Sequence, residues 1–121
     1  MEAGIFVQLV VLRVDNSVVF TIENNAGKSV VYKSGHMDND LPMHDVTTLN
    51  SYLRPGNNTL RWRLDNDPDH GHDGDAWHLS FLVVANRLER RDDGDLVLEK
   101  REKHGNGGTV AVWEDSLVIT G

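Results

Sequence analysis

The chain contains no cysteine, so neither a disulfide nor a thiolate metal site can form. It lacks a long apolar run. The most hydrophobic stretch, Ile5 to Val14, is broken by Gln8 and Arg13, and the Met1-Glu2-Ala3-Gly4 start has no basic region ahead of it. This reads as neither a signal peptide nor a membrane span. The expectation is a cytoplasmic protein, or a secreted one whose export signal has been removed. Helical periodicity is almost missing. Basic residues are in deficit: 12 Lys and Arg stand against 19 Asp and Glu, a formal net charge of -7. Such a surface repels phosphate backbones and anionic lipid, which argues against nucleic acid and membrane partners. Missing too are a Ser/His/Asp order with a nucleophile turn and a phosphate-cradling glycine loop.

What is present is alternation of period two. Leu60, Trp62 and Leu64 alternate with Thr59, Arg61, Arg63 and Asp65. Trp77, Leu79, Phe81, Val83 and Ala85 alternate with His78, Ser80, Leu82, Val84 and Asn86, and the apolar Leu82 and Val84 predict a central strand covered on both faces. Val18, Phe20 and Ile22 alternate with Val19, Thr21 and Glu23. Turn residues separate the runs: Asp15-Asn16-Ser17, Asn24-Asn25-Ala26-Gly27, Asp92-Asp93-Gly94-Asp95 and His104-Gly105-Asn106-Gly107-Gly108. Further strands are expected over Val30–Lys33, Leu96–Lys103, Thr109–Trp113 and Ser116–Thr120. Asp45 to Leu53 suits one helical turn capped by Asp45 or Thr47 and ended by Pro55-Gly56. With 121 residues the chain is expected to be one domain, 1–121. Seven or eight short strands predict an all-β, two-sheet antiparallel sandwich.

One segment resembles a known family. Val46 to Asn66, with its Leu53-Arg54-Pro55-Gly56-Asn57-Asn58-Thr59-Leu60 core, is similar to the Pro-Gly-Asn segment of galactose-binding-domain-like β-sandwiches. Phe20 to Val30 resembles the hairpin that precedes that segment there, and Trp77–Asn86 takes the place of its following core strand. The likeness covers residues 5 to 90. It implies a jelly-roll sandwich that binds sugars, as in lectins and carbohydrate-binding modules, or an accessory domain of a glycoside hydrolase. The Asn-Asn-Ala-Gly turn is longer than the usual Asn-Gly hairpin, and the loop after Asp65 is more charged than the family's.

That loop is the expected site. Residues 65 to 75 hold five carboxylates and two imidazoles, and no base lies between Arg63 and Arg87. Crowded like charges are unfavourable unless a cation or solvent screens them. Calcium takes six to eight oxygens, and Asp67, Asp69, Asp73 and Asp75 could supply several, with Asn66 and backbone carbonyls completing the shell. The alternative uses His70, His72 and His78, since zinc, nickel and copper favour imidazole. His-x-His resembles the cupin metal motif, but Ala76 stands near the place of the expected Glu and no second motif follows. A third reading is a solvated polar turn with no ligand.

For a saccharide, Trp77 and Trp62 flank the loop, and sugar faces stack on aromatic rings; both also fall on the apolar phase, which suits the core. Arg61 and Arg63 point to the polar phase and suit ion pairs with Asp or bidentate sugar contacts. Tyr52, His44 and Arg54 are expected at the same end of the sandwich, with His78. Three functions follow: a carbohydrate-binding or similar small-ligand module, with or without a cation at the Asp/His loop; a structural module forming a homo-oligomer, with Ile5–Val14 as a partner-covered edge; and a cupin-like metal enzyme.

Overall fold

The computed structural model describes residues 5–35, 37, 42–66, 76–87, 96–108 and 110–120. They form eight strands in chain order: β1 Ile5–Asp15, β2 Ser17–Asn24, β3 Gly27–Lys33, β4 Asp45–Thr48, β5 Asn57–Asp65, β6 Ala76–Arg87, β7 Leu96–Asn106 and β8 Trp113–Thr120. One antiparallel sheet has the order β4-β1-β6-β7, the other β3-β2-β5-β8. The expected all-β sandwich is thus what forms, and among the described residues no helix is present, nor one long and apolar enough to cross a membrane.

The alternation explains the sandwich. Val7, Leu9, Val11 and Val14 of β1 and Leu79, Phe81 and Val83 of β6 turn inward from one sheet. Val18, Phe20 and Ile22 of β2 and Leu60, Trp62 and Leu64 of β5 meet them from the other. β2 and β5 bury every second side chain, so a one-residue slip of either would turn its whole apolar set to solvent. Between Val11 and Arg13 the register of β1 shifts at Leu12, whose carbonyl accepts a hydrogen bond from Met43 N at 2.9 Å. Val84 is buried on the outer face of β6, as its apolar neighbours predict.

The sandwich has two ends. Asn24, Thr48, Asn57 and Thr120 lie at one, the Asn58 end; Asp15, Ser17, Asp65, Ala76 and Asn106 lie at the other, the Asn66 end.

Several expectations need correction. Asp45–Thr48 is a short strand, not a helix start, because its β-branched residues pair with Gln8 to Val11. Asp45 caps nothing; its carboxylate accepts a 2.6 Å hydrogen bond from the Tyr32 hydroxyl. Burial first, and then this bond, push the Tyr32 phenol far above its ordinary value. The single turn begins at Leu49, whose carbonyl accepts from Tyr52 N and Leu53 N. β1 is no edge: it lies between β4 and β6. No strand covers Val110 to Val112; Ala111 has a positive φ of 50°, and Val112 N donates to Leu64 O. His104, Gly105 and Asn106 belong to β7 rather than to a turn. Gly105 is needed there, since a Cβ would stand 2.6 Å from the Trp77 ring.

Candidate ligand-binding site

On β5 the phase that buries Leu60, Trp62 and Leu64 sends Thr59, Arg61 and Arg63 to the outer face of their sheet. Register sets their neighbours. Arg61 stands between Thr21 and Ser116, Arg63 between Val19 and Glu114, and Thr59 beside Glu23. Arg61 Nη2 lies 3.6 Å from Glu23 Oε1, and Arg63 Nε donates to Asp65 Oδ1 at 3.0 Å. Both arginine side chains stay half exposed, at 51% and 50%. Ion pairs this open hold geometry more than they add stability.

A recess of about 500 Å³ opens over Val19, Thr21, Arg61, Arg63 and Glu114. A second, of about 520 Å³, opens over Glu23, Asn24, Asn25, Asn57 and Thr59. Lys28 lines both, so they adjoin as one trough beside β5. At the usual rise per residue a strand of this length is ~30 Å long. Its walls offer amides, two hydroxyls, carboxylates, two guanidiniums and an ammonium. Beyond the contacts to Glu23 and Asp65, the two arginines and Lys28 have no protein partner among the described residues.

A second cluster lies on the outer face of the other sheet, at the Asn66 end. Asp15, His78 and His104 share one row across β1, β6 and β7. His78 Nε2 lies 2.8 Å from Glu102 Oε2, and the two imidazole rings are 5.7 Å apart. A recess of about 300 Å³ opens beside Asp15, Trp77, His78, His104 and Asn106. The hydrogen bond from His78 holds the Glu102 carboxyl below its ordinary value, helped by the charges of His78, Lys100 and Arg13. A depressed carboxyl favours the fold above its unfolded pKa and loses that contribution as pH falls through the folded value. Carbon-detected NMR titration is expected to place Glu102 below the ordinary range in the native chain. His78→Ala should return it upward; an unmoved midpoint would assign the shift elsewhere. Among the described residues no three His, Asp or Glu side chains are gathered so as to hold a metal ion.

The residues expected from sequence do not converge. Arg61 and Arg63 share the trough. His78 is on the opposite outer face, and Trp77 packs in the core. Tyr52 is at the Asn58 end, not beside His78: its carbonyl accepts from Asn24 Nδ2 at 2.8 Å. The same turn carries Arg54, whose N–H donates to Asn58 Oδ1. Asp67, Asp69, His70, His72, Asp73 and Asp75, the expected calcium or His-metal donors, lie outside the described residues. The loop leaves β5 at Asn66 and rejoins β6 at Ala76. Asn16 Nδ2 donates to the buried Asn66 Oδ1 at 2.7 Å, and Asp65 Oδ1 accepts from Ala111 N at 2.7 Å.

Sequence reasoning missed Lys28, Glu23, Glu114, Glu102 and His104. Lys28 and Glu23 were within reach, because a two-residue turn at Asn25-Ala26 makes them cross-strand partners. The other three depend on pairings across long connections. No protein family, curated protein or solved structure matches the chain.

Proposed function

We propose that this domain is a binding module for an extended polyhydroxylated ligand, a saccharide chain, held in the trough along β5. The observation that carries the reading is the pair Arg61 and Arg63, half exposed on one face with most of their donors unspent. A sugar chain presents hydroxyls as both donors and acceptors along its length. The trough answers with acceptors on Glu23, Glu114 and Asn57 and donors on Lys28, Arg61 and Arg63. Interleaved carboxylates disfavour a polyphosphate, in keeping with the net charge of -7. Among the described residues that line the trough, Trp62 is the sole aromatic, and it is 2% exposed. Recognition therefore rests on hydrogen bonds rather than on stacking. The reading stands on this trough and not on the sequence resemblance, because a fold shared with sugar binders does not carry their function.

The test is a glycan array followed by calorimetry on the best hit. Charge-assisted hydrogen bonds contribute ~1.5–3 kcal/mol. Arg61→Ala and Arg63→Ala are each expected to weaken binding at least ~10-fold with the melting temperature little changed. An array without hits, or a hit indifferent to both substitutions, would sink the proposal.

A further inference from the structure

The two recesses of the trough differ in charge. Toward the Asn58 end, Glu23 and Lys28 oppose each other across β2 and β3, and the other polar side chains, Asn24, Asn25, Asn57 and Thr59, are neutral. Toward the Asn66 end, Arg61, Arg63 and Lys28 stand with Asp65 and Glu114. Register adds a further cation there, because Lys33, Val19, Arg63 and Glu114 form one row across β3, β2, β5 and β8. The outward phase of this sheet thus carries four cations, Lys28, Lys33, Arg61 and Arg63, against three carboxylates, Glu23, Asp65 and Glu114. That is a local positive surplus in a chain of net charge -7.

Arg63 is also braced from below. Its Nε donates to Asp65 Oδ1 at 3.0 Å, and the same oxygen accepts from Ala111 N at 2.7 Å. The backbone fixes the carboxylate, and the carboxylate fixes the guanidinium. The two Nη groups of Arg63 then point onward with no protein acceptor among the described residues. Arg61, two positions earlier on the same face, stands ~7 Å away along the strand, within reach of a shared ligand group.

We infer that the Asn66 end of the trough is a carboxylate clamp, so that the saccharide it takes is acidic, with a uronic acid carboxylate seated at Arg61 and Arg63. The inference rests on the saccharide reading and narrows it. A planar guanidinium matches a carboxylate through two parallel, charge-assisted hydrogen bonds, a geometry that a single sugar hydroxyl cannot use. Holding Arg63 in place before the ligand arrives lowers the ordering cost of that contact. Charge also limits the ligand's density. A surplus of one positive charge suits one carboxylate, whereas Asp65 and Glu114 repel a ring that carries several negative groups. The neighbouring neutral rings extend over Thr59 and Asn57 toward the Asn58 end, where the lining charges cancel.

Calorimetry with oligogalacturonate and oligomannuronate, each as the free acid and as its methyl ester, tests the clamp beside a panel of neutral and sulfated oligosaccharides. At least one free acid is expected to bind ~10-fold or more tightly than its ester, and the gap should narrow as salt rises. Arg63→Gln keeps hydrogen-bond donors but removes the charge, so it should erase the preference for the acid with the melting temperature little changed. Glu114→Gln should act in the opposite direction and tighten the free acid ~2-fold or more, because a like charge beside the clamp is gone. Equal affinity for acid and ester, or a preference that survives Arg63→Gln, overturns the clamp. Sulfated oligosaccharides that bind as tightly as the free acid overturn the assignment to a carboxylate. Neutral glycans that bind through Arg61 and Arg63 while neither free acid does so also overturn it and leave the saccharide reading standing. Binding of no glycan at all sinks both.

Discussion

Phe81→Ala is expected to lower the unfolding free energy by ~3–5 kcal/mol. The ring is fully buried on β6 and lies edge-on to two rings of the facing sheet, 4.9 Å from Phe20 and 4.8 Å from Trp62. Trp62 continues the chain of rings to Trp113 at 5.3 Å. Removing the ring forfeits its transfer free energy and leaves a cavity between two sheets that cannot easily close over it. β6 is held on both sides by β1 and β7, and β5 by β2 and β8. A domain stable by ~5–15 kcal/mol would lose about a fifth of that or more. Phe81→Leu keeps most of the volume and should cost ~1–2 kcal/mol. Urea denaturation checks both through a lower midpoint at an unchanged slope. A loss below ~1.5 kcal/mol for the alanine variant would mean that the sheets relax together. The site feels this too, because Trp62 sits between the two arginines on β5 and the cavity would open against it.

The strands were legible in the sequence wherever burial follows a strict period of two. β5 is the clearest case: Leu60, Trp62 and Leu64 announce the inner face, and Arg61 and Arg63 are thereby placed outside without any knowledge of partners. β4 was not legible. Four residues give no periodicity, and Asp45 ahead of Val46-Thr47-Thr48 resembles a helix cap until its hydroxyl partner on β3 is known. Gly105 misled for a related reason. A glycine between turn-formers reads as a loop, whereas here it clears space for a tryptophan 28 positions earlier in the chain (Trp77 to Gly105).

The site was half legible on the same grounds. Which face a residue occupies is local information, so Arg61, Arg63 and His78 were assigned correctly to polar faces. Which residues meet is set by strand order, and that is not local. Nothing in the sequence says that β5 and β6 belong to different sheets, which puts Arg63 and His78 on opposite sides of the molecule. Buried amides were invisible as well. Asn16 reads as a turn residue, Asn58 as part of the Pro-Gly-Asn segment and Asn66 as a calcium donor, yet each is at most 2% exposed, and Asn66 Oδ1 instead accepts from Asn16 Nδ2 while its Nδ2 donates to Gly108 O.

Asn58 is where that invisibility has the largest consequence. Its side chain is fully buried at the start of β5 and joins three elements. Oδ1 accepts from Arg54 N and from Asn24 Nδ2, both at 2.9 Å. Nδ2 is directed at the carbonyls of Arg54 and Ile119 at 3.0 Å and of Gly56 at 3.3 Å. One amide therefore satisfies the turn before β5, the end of β2 and the last residues of β8. Asn58→Ala removes the partner and leaves several buried donors and acceptors unpaired, each at ~1–3 kcal/mol, so a total of ~3–5 kcal/mol is expected. Asn58→Asp keeps the shape but replaces the donor by an oxygen facing carbonyls. Burial and those oxygens disfavour its ionised form. The variant should accordingly be least stable at neutral pH and regain stability in mild acid, opposite to the usual effect of acid on a carboxylate held by a cation. Denaturation of both variants across pH measures this. A loss under ~1 kcal/mol for Asn58→Ala would show that water takes over the amide's bonds. Because Asn57 and Thr59 flank this anchor and line the trough, its loss should weaken the trough at the Asn58 end while leaving the Arg63–Asp65 pair in place.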